Sequence, residues 1–172
     1  MTNYYTKTGD KGETGVVGQR LRKTDPRIAA IGDVDETNAA LGVALAHSED
    51  VSVRSALLSA QNLLFTVGAE LAGTAQVKIN AEQVSELENT IDLFGDKVAP
   101  QTTFLLPNGT KAASFLHLAR AVCRRAERSI AHVQESRPLN AELLRYLNRL
   151  SSLLYVLARY ENRNVKEQAP VY

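Results

Sequence analysis

Five segments of this 172-residue chain repeat apolar residues at intervals of three or four, and no proline interrupts any of them. This spacing is typical of amphipathic α-helices, because it aligns the apolar side chains on one face. The predicted helices cover about residues 26–47, 50–72, 80–98, 110–135 and 139–165. Since the connections between them are short, we predict an all-α fold, a five-helix antiparallel bundle.

Local signals support two of these boundaries and mark one linker. Asp25 precedes Pro26, which is the arrangement of an N-cap residue followed by proline in the first helical turn. Asn80 is followed three residues later by Gln83, which predicts a capping box. Two prolines bracket residues 101–106, so this segment is predicted to be an extended linker.

Composition excludes several classes of protein. Lys and Arg total 20 while Asp and Glu total 19, and the resulting charge of +1 argues against a nucleic-acid-binding protein. No run approaches the roughly 18 apolar residues of a membrane span, so no membrane partner is expected. The single cysteine, Cys123, excludes an intramolecular disulfide. We interpret it as a packing residue in a cytoplasmic protein.

The chain length predicts a single domain over residues 1–172. Its predicted parts are a loop rich in Gly, Thr and Lys over residues 1–24, the bundle over 25–165 and a tail over 166–172. Glycine recurs in the loop at every third position from Gly9 to Gly18. Glycines let backbone N–H groups converge on an anion, and Thr hydroxyls and Lys ammonium groups complete such a phosphate cradle. The alternative interpretation is a flexible polar N-terminus.

The fourth predicted helix has an apolar stripe on one side and a basic face on the other. The polar residues of that face, or close to it, are His117, Arg120, Arg124, Arg125, Glu127 and Arg128. A solvated surface is one interpretation of this face. The consistent use of Arg instead of Lys favours another, because the guanidinium group binds phosphate or carboxylate with two hydrogen bonds.

Acidic residues on the first helix could orient this basic face. Asp33, Asp35 and Glu36 lie beside the apolar stripe of that helix. One of them could pair with Arg120 and hold its guanidinium in a single rotamer. A partly buried pair of this kind fixes geometry more reliably than it adds stability.

Two further residues are candidates for ligand contacts. Phe104 is the aromatic residue of the linker that leads into the basic helix, and a hydrophobic staple packed on the bundle is the alternative interpretation. Asn148 interrupts a leucine stripe in the middle of the fifth helix. Asparagine is unfavourable inside helices, which favours a ligand role over a surface accident.

Taken together, five segments in the same order resemble one family, the PduO-type ATP:cob(I)alamin adenosyltransferases. The matching segments are YTKTGDKG at 5–12, GDVDETN at 32–38, FLLPNGT at 104–110, RAVCRRAER at 120–128 and LNRLS at 147–151. The resemblance implies a homotrimer of five-helix subunits with active sites between neighbouring subunits. The implied reaction transfers the 5′-deoxyadenosyl group of ATP to the Co(I) of a corrinoid such as cobalamin and releases triphosphate.

The resemblance also implies cofactors and partners. Mg2+ is expected with the ATP, held mainly by phosphate oxygens and water, so no residue is assigned as a metal ligand. A reductase would supply electrons to cobalt, and an adenosylcobalamin-dependent enzyme would consume the product.

The resemblance assigns roles residue by residue. The residues implied to wrap the triphosphate are Thr6, Lys7, Thr8, Gly9, Thr14 and Lys23. The implied helical contacts to ATP are Arg124, Arg125, Glu127, Arg128 and Asn148. Asp35 and Arg120 resemble an ion pair that positions the corrinoid and, with Arg124, are implied to be catalytic. Phe104 is implied to close the lower axial face of cobalt, with His117 also at the corrinoid.

The sequence departs from the family pattern at a few positions. Thr37 and Ala39 stand where Leu and Ser are common, and Ser152 stands where Asp is common. Two other functions remain compatible with the sequence. One is a helical module that binds ATP or corrinoid without turnover, and the other is a structural bundle whose loop binds phosphate adventitiously.

Overall fold

The computed structural model describes residues 4–74, 76 and 78–171. Across this part of the chain the elements are β1 (Glu13–Val16), β2 (Gln19–Arg22), α1 (Pro26–His47), α2 (Val51–Ala72), α3 (Ala81–Gly95), α4 (Lys111–Ser136) and α5 (Ala141–Glu161). The predicted all-α, five-helix fold is confirmed.

The helices begin where the sequence places their capping residues. The Asp25 carboxylate accepts a hydrogen bond from the backbone N–H of Arg27 at 2.8 Å, with Pro26 in the first turn of α1. The predicted capping box of α3 is present between Asn80 and Gln83. Two predicted ends are wrong, because α3 stops at Gly95 and α5 at Glu161.

The helices pack side by side in the order α2, α1, α4, α5, α3. Two contacts show that α1 and α4 are antiparallel: Asp33 reaches Ser129, while the ring of His47 lies 4.6 Å from that of Phe115. By contrast, α3 runs parallel to α5. Its Glu88 pairs with Arg149, and one turn and a half later Phe94 packs edge-on against Tyr160 at 4.9 Å.

The core lies along the centre of the bundle and consists of the apolar stripes. The α4 stripe is buried as predicted at Ala119, Val122, Ala126, Ile130 and Val133, with Phe115 partly buried. Burial of these side chains supplies the main favourable term in folding. None of the helices in the described ranges is long and apolar enough to cross a membrane.

The N-terminal segment contains a β-hairpin that the sequence did not reveal. β1 and β2 pair antiparallel, with Val16 opposite Gln19. Gly18, at φ 74°, closes the turn in a conformation that favours glycine. The hairpin docks on the end of α2, because the N–H of Val17 donates to the carbonyl of Ala72 at 3.1 Å. Strands of four residues, one of them with a glycine inside, carry too little alternation to predict.

Candidate active site

Three arginines of α4 lie on its outer side. Arg124 and Arg128 are exposed, and Arg120 is partly buried. Arg128 donates from Nη1 to the backbone carbonyl of Arg124 at 2.9 Å, which orients it along the helix. Within the described residues, no carboxylate forms an ion pair with any of the three. Their guanidinium groups are therefore available to an anionic ligand or to another chain.

Arg125, one residue further, is engaged inside the subunit. Its Nε donates to Asp33 Oδ1 at 3.2 Å, and its Nη2 donates to the Glu36 carboxylate. Ser129 donates to the other oxygen of Asp33 at 2.5 Å. The hydrogen bond and charge of Glu36 raise the pKa of Arg125 above its usual value. We call Asp33, Glu36, Arg125 and Ser129 the closed charge cluster.

The acidic residues of α1 that reach α4 are therefore Asp33 and Glu36, and they reach Arg125 instead of Arg120. Within one chain, no ion pair joins Asp35 to Arg120 among the described residues. The reason is helix geometry. Residues three apart share a face, while a residue two positions along is rotated by about 200°. Asp35 consequently points away from α4 and is exposed.

Asp35 lies beside a groove between α1 and α2. The groove has a volume of about 540 Å³ and an apolar lining that includes Ile31, Leu64 and Phe65. Phe65 is 71% exposed although it is aromatic. Asn38 also lines the groove, and its Oδ1 is buried without a hydrogen-bond partner in the described part of the chain. An apolar surface with a carboxylate beside it is suited to a large, mostly apolar ligand.

A second pocket lies between α4 and α5. It has a volume of about 360 Å³, and Glu127, Arg145, Asn148 and Arg149 are among its lining residues. Asn148 donates from Nδ2 to Glu127 Oε1 at 2.9 Å, so two of the predicted ATP contacts meet. The pocket is large enough for part of a nucleotide.

His117 lies further toward the start of α4, close to Arg120. It is 5% exposed, and its Nδ1 has no hydrogen-bond partner among the residues described. Burial, and secondarily the charge of Arg120, lower the pKa of His117 below its usual value, while Glu167 opposes this shift. The ring centroid of Tyr155 lies 5.9 Å away. The imidazole is therefore neutral at pH 7 and has an unused ring nitrogen.

Phe104 lies in a linker that is attached to the bundle on both sides of it. Its side chain is 76% exposed, so it is not the packed hydrophobic staple of the alternative interpretation. Before it, Gln101 accepts a hydrogen bond from the Tyr155 hydroxyl at 2.8 Å. After it, the Asn162 amide accepts from the N–H of Thr110 at 3.0 Å and donates to the carbonyl of Asn108 at 2.8 Å.

The turn after Phe104 requires glycine. Gly109 has φ 119°, and a Cβ at this position would collide with the amide of Asn162. The tail adds another attachment, because the N–H of Leu106 donates to the carbonyl of Gln168 at 2.8 Å. Glu167 beside it pairs with the buried Arg159 at 3.0 Å. The roles of Tyr155, Asn162 and Glu167 are not visible in the sequence, since their partners lie 54 or 8 residues away along the chain.

The predicted triphosphate loop lies next to the hairpin, which docks on the end of α2. Thr6 and Thr8 share a hydrogen bond between their hydroxyls at 2.8 Å, and Arg20 donates to the carbonyl of Thr8 at 2.7 Å. The ammonium of Lys23 lies over Gly9, and Lys7 has a positive φ of 59°. The side chains of Thr6, Lys7, Thr8 and Lys23 are exposed, while Thr14 is partly buried in β1.

The predicted site residues thus form two groups on different parts of the subunit. The N-terminal half-site comprises the loop residues, Lys23, Asp35 and the α1–α2 groove. The C-terminal half-site comprises Phe104, His117, the outer arginines, Glu127 and Asn148. Over the described ranges, no hydrogen bond or ion pair joins the loop to α4.

The described residues near the two half-sites include no candidate metal centre and no reactive thiol. Among the residues that the structure describes, no set of three His, Cys, Asp or Glu side chains is arranged to hold a metal ion. Cys123 is buried, and burial raises the pKa of its thiol to about 12. The thiol is therefore unreactive at neutral pH, in agreement with a packing role.

Solved structures with this architecture define the class of protein. One is a phenylalanine-to-alanine variant of the PduO-type ATP:corrinoid adenosyltransferase from Lactobacillus reuteri complexed with cobalamin and ATP. It matches with a TM-score of 0.89 and 37% identity, covering 99% of both chains. An arginine-to-lysine variant of the enzyme from the same organism, complexed with ATP, also matches with a TM-score of 0.89, at 36% identity over 99% of each chain.

Sequence comparisons agree with the structural ones. The chain is 41% identical to a corrinoid adenosyltransferase of Bacillus subtilis, over 92% of this chain and 86% of the relative. It is also 41% identical to the corrinoid adenosyltransferase PduO of Salmonella typhimurium, over 95% of this chain but 51% of that longer protein. The family model for cobalamin adenosyltransferase matches residues 4–161. The chain belongs to the cobalamin adenosyltransferase family.

Proposed function

We propose that this chain transfers the 5′-deoxyadenosyl group of ATP to the Co(I) of a corrinoid, forming adenosylcobalamin and triphosphate. The observation that carries the proposal is the set of outer arginines on α4, which have no carboxylate partner in the described chain and lie on the same helix as Glu127, a lining residue of the α4–α5 pocket. Arginines left unpaired in this way can bind a polyphosphate with two hydrogen bonds each.

The chemistry requires positioning more than proton transfer. Co(I) is a strong nucleophile and forms a bond to the ribose 5′ carbon, while the C5′–O bond breaks and triphosphate leaves with the electron pair. Arg124 and Arg128 would stabilise the charge that develops on the leaving group. Thr6, Lys7, Thr8, Gly9, Thr14 and Lys23 would hold the phosphates, with Mg2+ entering as part of the MgATP substrate. Holding the two reactants in line supplies several kcal/mol through orientation.

We further propose that the two half-sites meet between neighbouring subunits of a homotrimer. Each half-site is incomplete within one chain, because the loop and Asp35 lie apart from the outer arginines. In the assembly, the exposed Asp35 of one subunit would pair with Arg120 of the next. This contact would give Arg120 the carboxylate partner that α1 of its own subunit does not supply.

Phe104 and the α1–α2 groove would hold the corrinoid. Phe104 would cover the lower axial face of cobalt, with His117 of the same half-site also near the corrinoid. An apolar side chain that excludes a lower ligand makes reduction of Co(II) to Co(I) easier, because no donor atom adds electron density to the metal. Arg125 could still donate from Nη1 to a phosphate, since only its Nε and Nη2 are hydrogen-bonded to carboxylates of α1.

The proposed reaction implies a cellular context. Co(I) needs a reductase as electron donor and a reducing compartment, which we propose to be the cytoplasm. The product would pass to an adenosylcobalamin-dependent enzyme.

The first experiment is an adenosylation assay with ATP, Mg2+ and chemically reduced cobalamin, followed by the visible spectrum. We expect the spectrum of adenosylcobalamin to appear only with ATP. Binding of ATP without this spectral change would instead indicate a binding module. Absence of ATP-dependent stabilisation in a thermal melt, together with no product, would indicate a structural bundle.

Subunit mixing tests the shared site. Asp35→Ala impairs the N-terminal half-site and Arg124→Ala the C-terminal one, so each homo-oligomer should be weakly active. If sites form between subunits, random mixed oligomers should recover about one quarter of wild-type activity, because that fraction of sites combines two intact halves. Activity equal to the mean of the two variants would show that each site belongs to one chain.

A further inference from the structure

Three hydrogen bonds connect Asn148 with charged side chains around it. Its amide Nδ2 donates to Glu127 Oε1 at 2.9 Å, and its Oδ1 accepts from Arg149 Nη1 at 2.7 Å. Arg149 in turn donates from Nε to Glu88 Oε1 at 2.7 Å. These hydrogen bonds link α4, α5 and α3, and the four side chains that form them are partly buried.

These contacts determine which way the Asn148 amide faces. An amide can rotate by about 180° to exchange its oxygen and its NH₂ group, and only its partners decide between the two orientations. Here a carboxylate accepts from the nitrogen and a guanidinium donates to the oxygen. In the rotated amide the oxygen would face the carboxylate and the NH₂ group would face the guanidinium, so both hydrogen bonds would be lost. The remaining N–H of Nδ2 and the second lone pair of Oδ1 are then presented in one fixed pattern.

Arg149 is itself fixed by Glu88. The guanidinium group of Arg149 donates in two directions, from Nε to Glu88 on α3 and from Nη1 to Asn148. A lysine has one nitrogen at the end of a flexible stem and cannot reproduce both contacts with the same geometry. The α3 helix thereby contributes a residue, Glu88, to the orientation of a side chain on the α4–α5 pocket.

We propose that Arg149, held by Glu88, is a positioning residue that orients the Asn148 amide for its contact with ATP. This inference depends on the proposed function, since it assigns a supporting pair to a nucleotide contact of that site. A solvated salt bridge without function is the competing explanation, because the two side chains are 38% and 41% exposed.

The test uses Arg149→Met, which keeps the length of the side chain but removes its donors. We expect KM for ATP to rise about tenfold with a smaller change in kcat and no change in KM for the corrinoid. Glu88→Gln retains an acceptor for Arg149 and should stay close to wild type, whereas Glu88→Ala should raise KM for ATP in the same direction. Combining Arg149→Met with Glu88→Ala should add little, since both act through the same amide.

Arg163 provides the matched control. Like Arg149, it is 38% exposed and pairs with a carboxylate, that of Asp50 at 3.3 Å, but it is not among the residues that line the α4–α5 pocket. Arg163→Met should therefore leave KM for ATP unchanged. Equal effects of Arg149→Met and Arg163→Met would overturn the inference, as would a lower Tm without a change in KM. Failure of the proposed function is distinct, because the wild-type protein would then form no adenosylcobalamin.

Discussion

The closed charge cluster and the outer residues Asp35, Arg120 and Arg124 have the same chemistry on the same two helices, yet they differ in their partners. Arg125 meets two carboxylates of α1, while its neighbour Arg124 meets none in the described structure. Asp33 accepts from two side chains of α4, while Asp35, two residues on, is exposed beside the α1–α2 groove. The ion pairs of the closed charge cluster fix α1 against α4. The residues without an ion-pair partner in the described structure are available to a ligand or to another subunit.

Two phenylalanines show the same contrast among apolar side chains. Phe94 is 2% exposed and packs against Tyr160, whereas Phe104 is 76% exposed on a linker held by Tyr155 and Asn162. Core packing explains why an aromatic residue stands at Phe94, but it does not explain the aromatic residue at Phe104. An exposed aromatic side chain on a fixed linker is available to a ligand or to another subunit.

The largest expected effect comes from Phe104→Ala. We expect it to retain ATP affinity and Tm but to lose at least about 100-fold in activity when Co(II) must be reduced in the site, or ~2.7 kcal/mol. With pre-reduced Co(I) the defect should be much smaller. The spectroscopic measurement is the four-coordinate Co(II) signal with ATP, which should weaken in the variant.

Phe94→Ala is the matched control for that contrast. It should lower the free energy of unfolding by about 3–5 kcal/mol through loss of core packing. If Phe104→Ala shows the four-coordinate signal at wild-type strength, the side chain does not cover cobalt.

Arg124→Lys tests whether the open arginines bind phosphate. The charge is kept but the two-bond geometry is lost, so we expect at least a tenfold decrease in kcat/KM, or ~1.4 kcal/mol. Steady-state kinetics at saturating corrinoid measure this effect, and Arg163→Lys should be neutral. Wild-type kinetics in Arg124→Lys would place this residue on a solvated surface.

Two double-mutant cycles separate the open charges from the closed ones. Asp35→Ala and Arg120→Ala should each impair corrinoid use, and the double variant should be better than additive losses suggest, because removing one partner strands the other. Asp33→Ala and Arg125→Ala should instead be coupled in the free energy of unfolding. Additivity of the first pair in activity would mean that Asp35 and Arg120 do not meet in the assembly.

Lys7→Ala should have a smaller effect, about a fivefold weaker affinity for ATP with the fold intact, since one of several phosphate contacts is removed. Calorimetric titration measures the affinity. ATP should also protect residues 5–18 from proteolysis in the wild type, because contacts to the phosphates would oppose local opening of the exposed loop residues. Equal protease sensitivity with and without ATP would contradict this role.

The smallest predicted effect is the pH dependence due to His117, whose pKa in the folded protein is lowered by burial. Below pH ~6.5 the unfolded chain takes up a proton that the folded protein resists, so stability falls with decreasing pH by at most ~1.4 kcal/mol per unit. Urea denaturation at pH 7 and pH 5.5 measures it. His117→Gln should flatten the dependence, and an unchanged dependence in this variant would contradict the assignment to His117.

Much of the bundle could be predicted from the sequence, because caps and apolar spacing are local. The start of α1 at Pro26 and the capping box of α3 follow from neighbouring residues alone. The ends of α3 and α5 could not be predicted in the same way. Asn162 leaves the helix because its amide binds the turn at Asn108 and Thr110, more than 50 residues earlier.

The chemistry of the candidate site was also present in the sequence, as residue types and spacing on each helix. The sequence by itself determined that α4 has an apolar side and a basic side, since a helix rotates by about 100° per residue. It could not decide which carboxylate meets which arginine. Only tertiary packing chose Asp33 and Glu36 for Arg125, left Asp35 and Arg120 open, and brought Glu88 to Arg149 across 61 residues. A side-chain pair depends on the rotation and offset of two packed helices, which no pattern within one helix specifies.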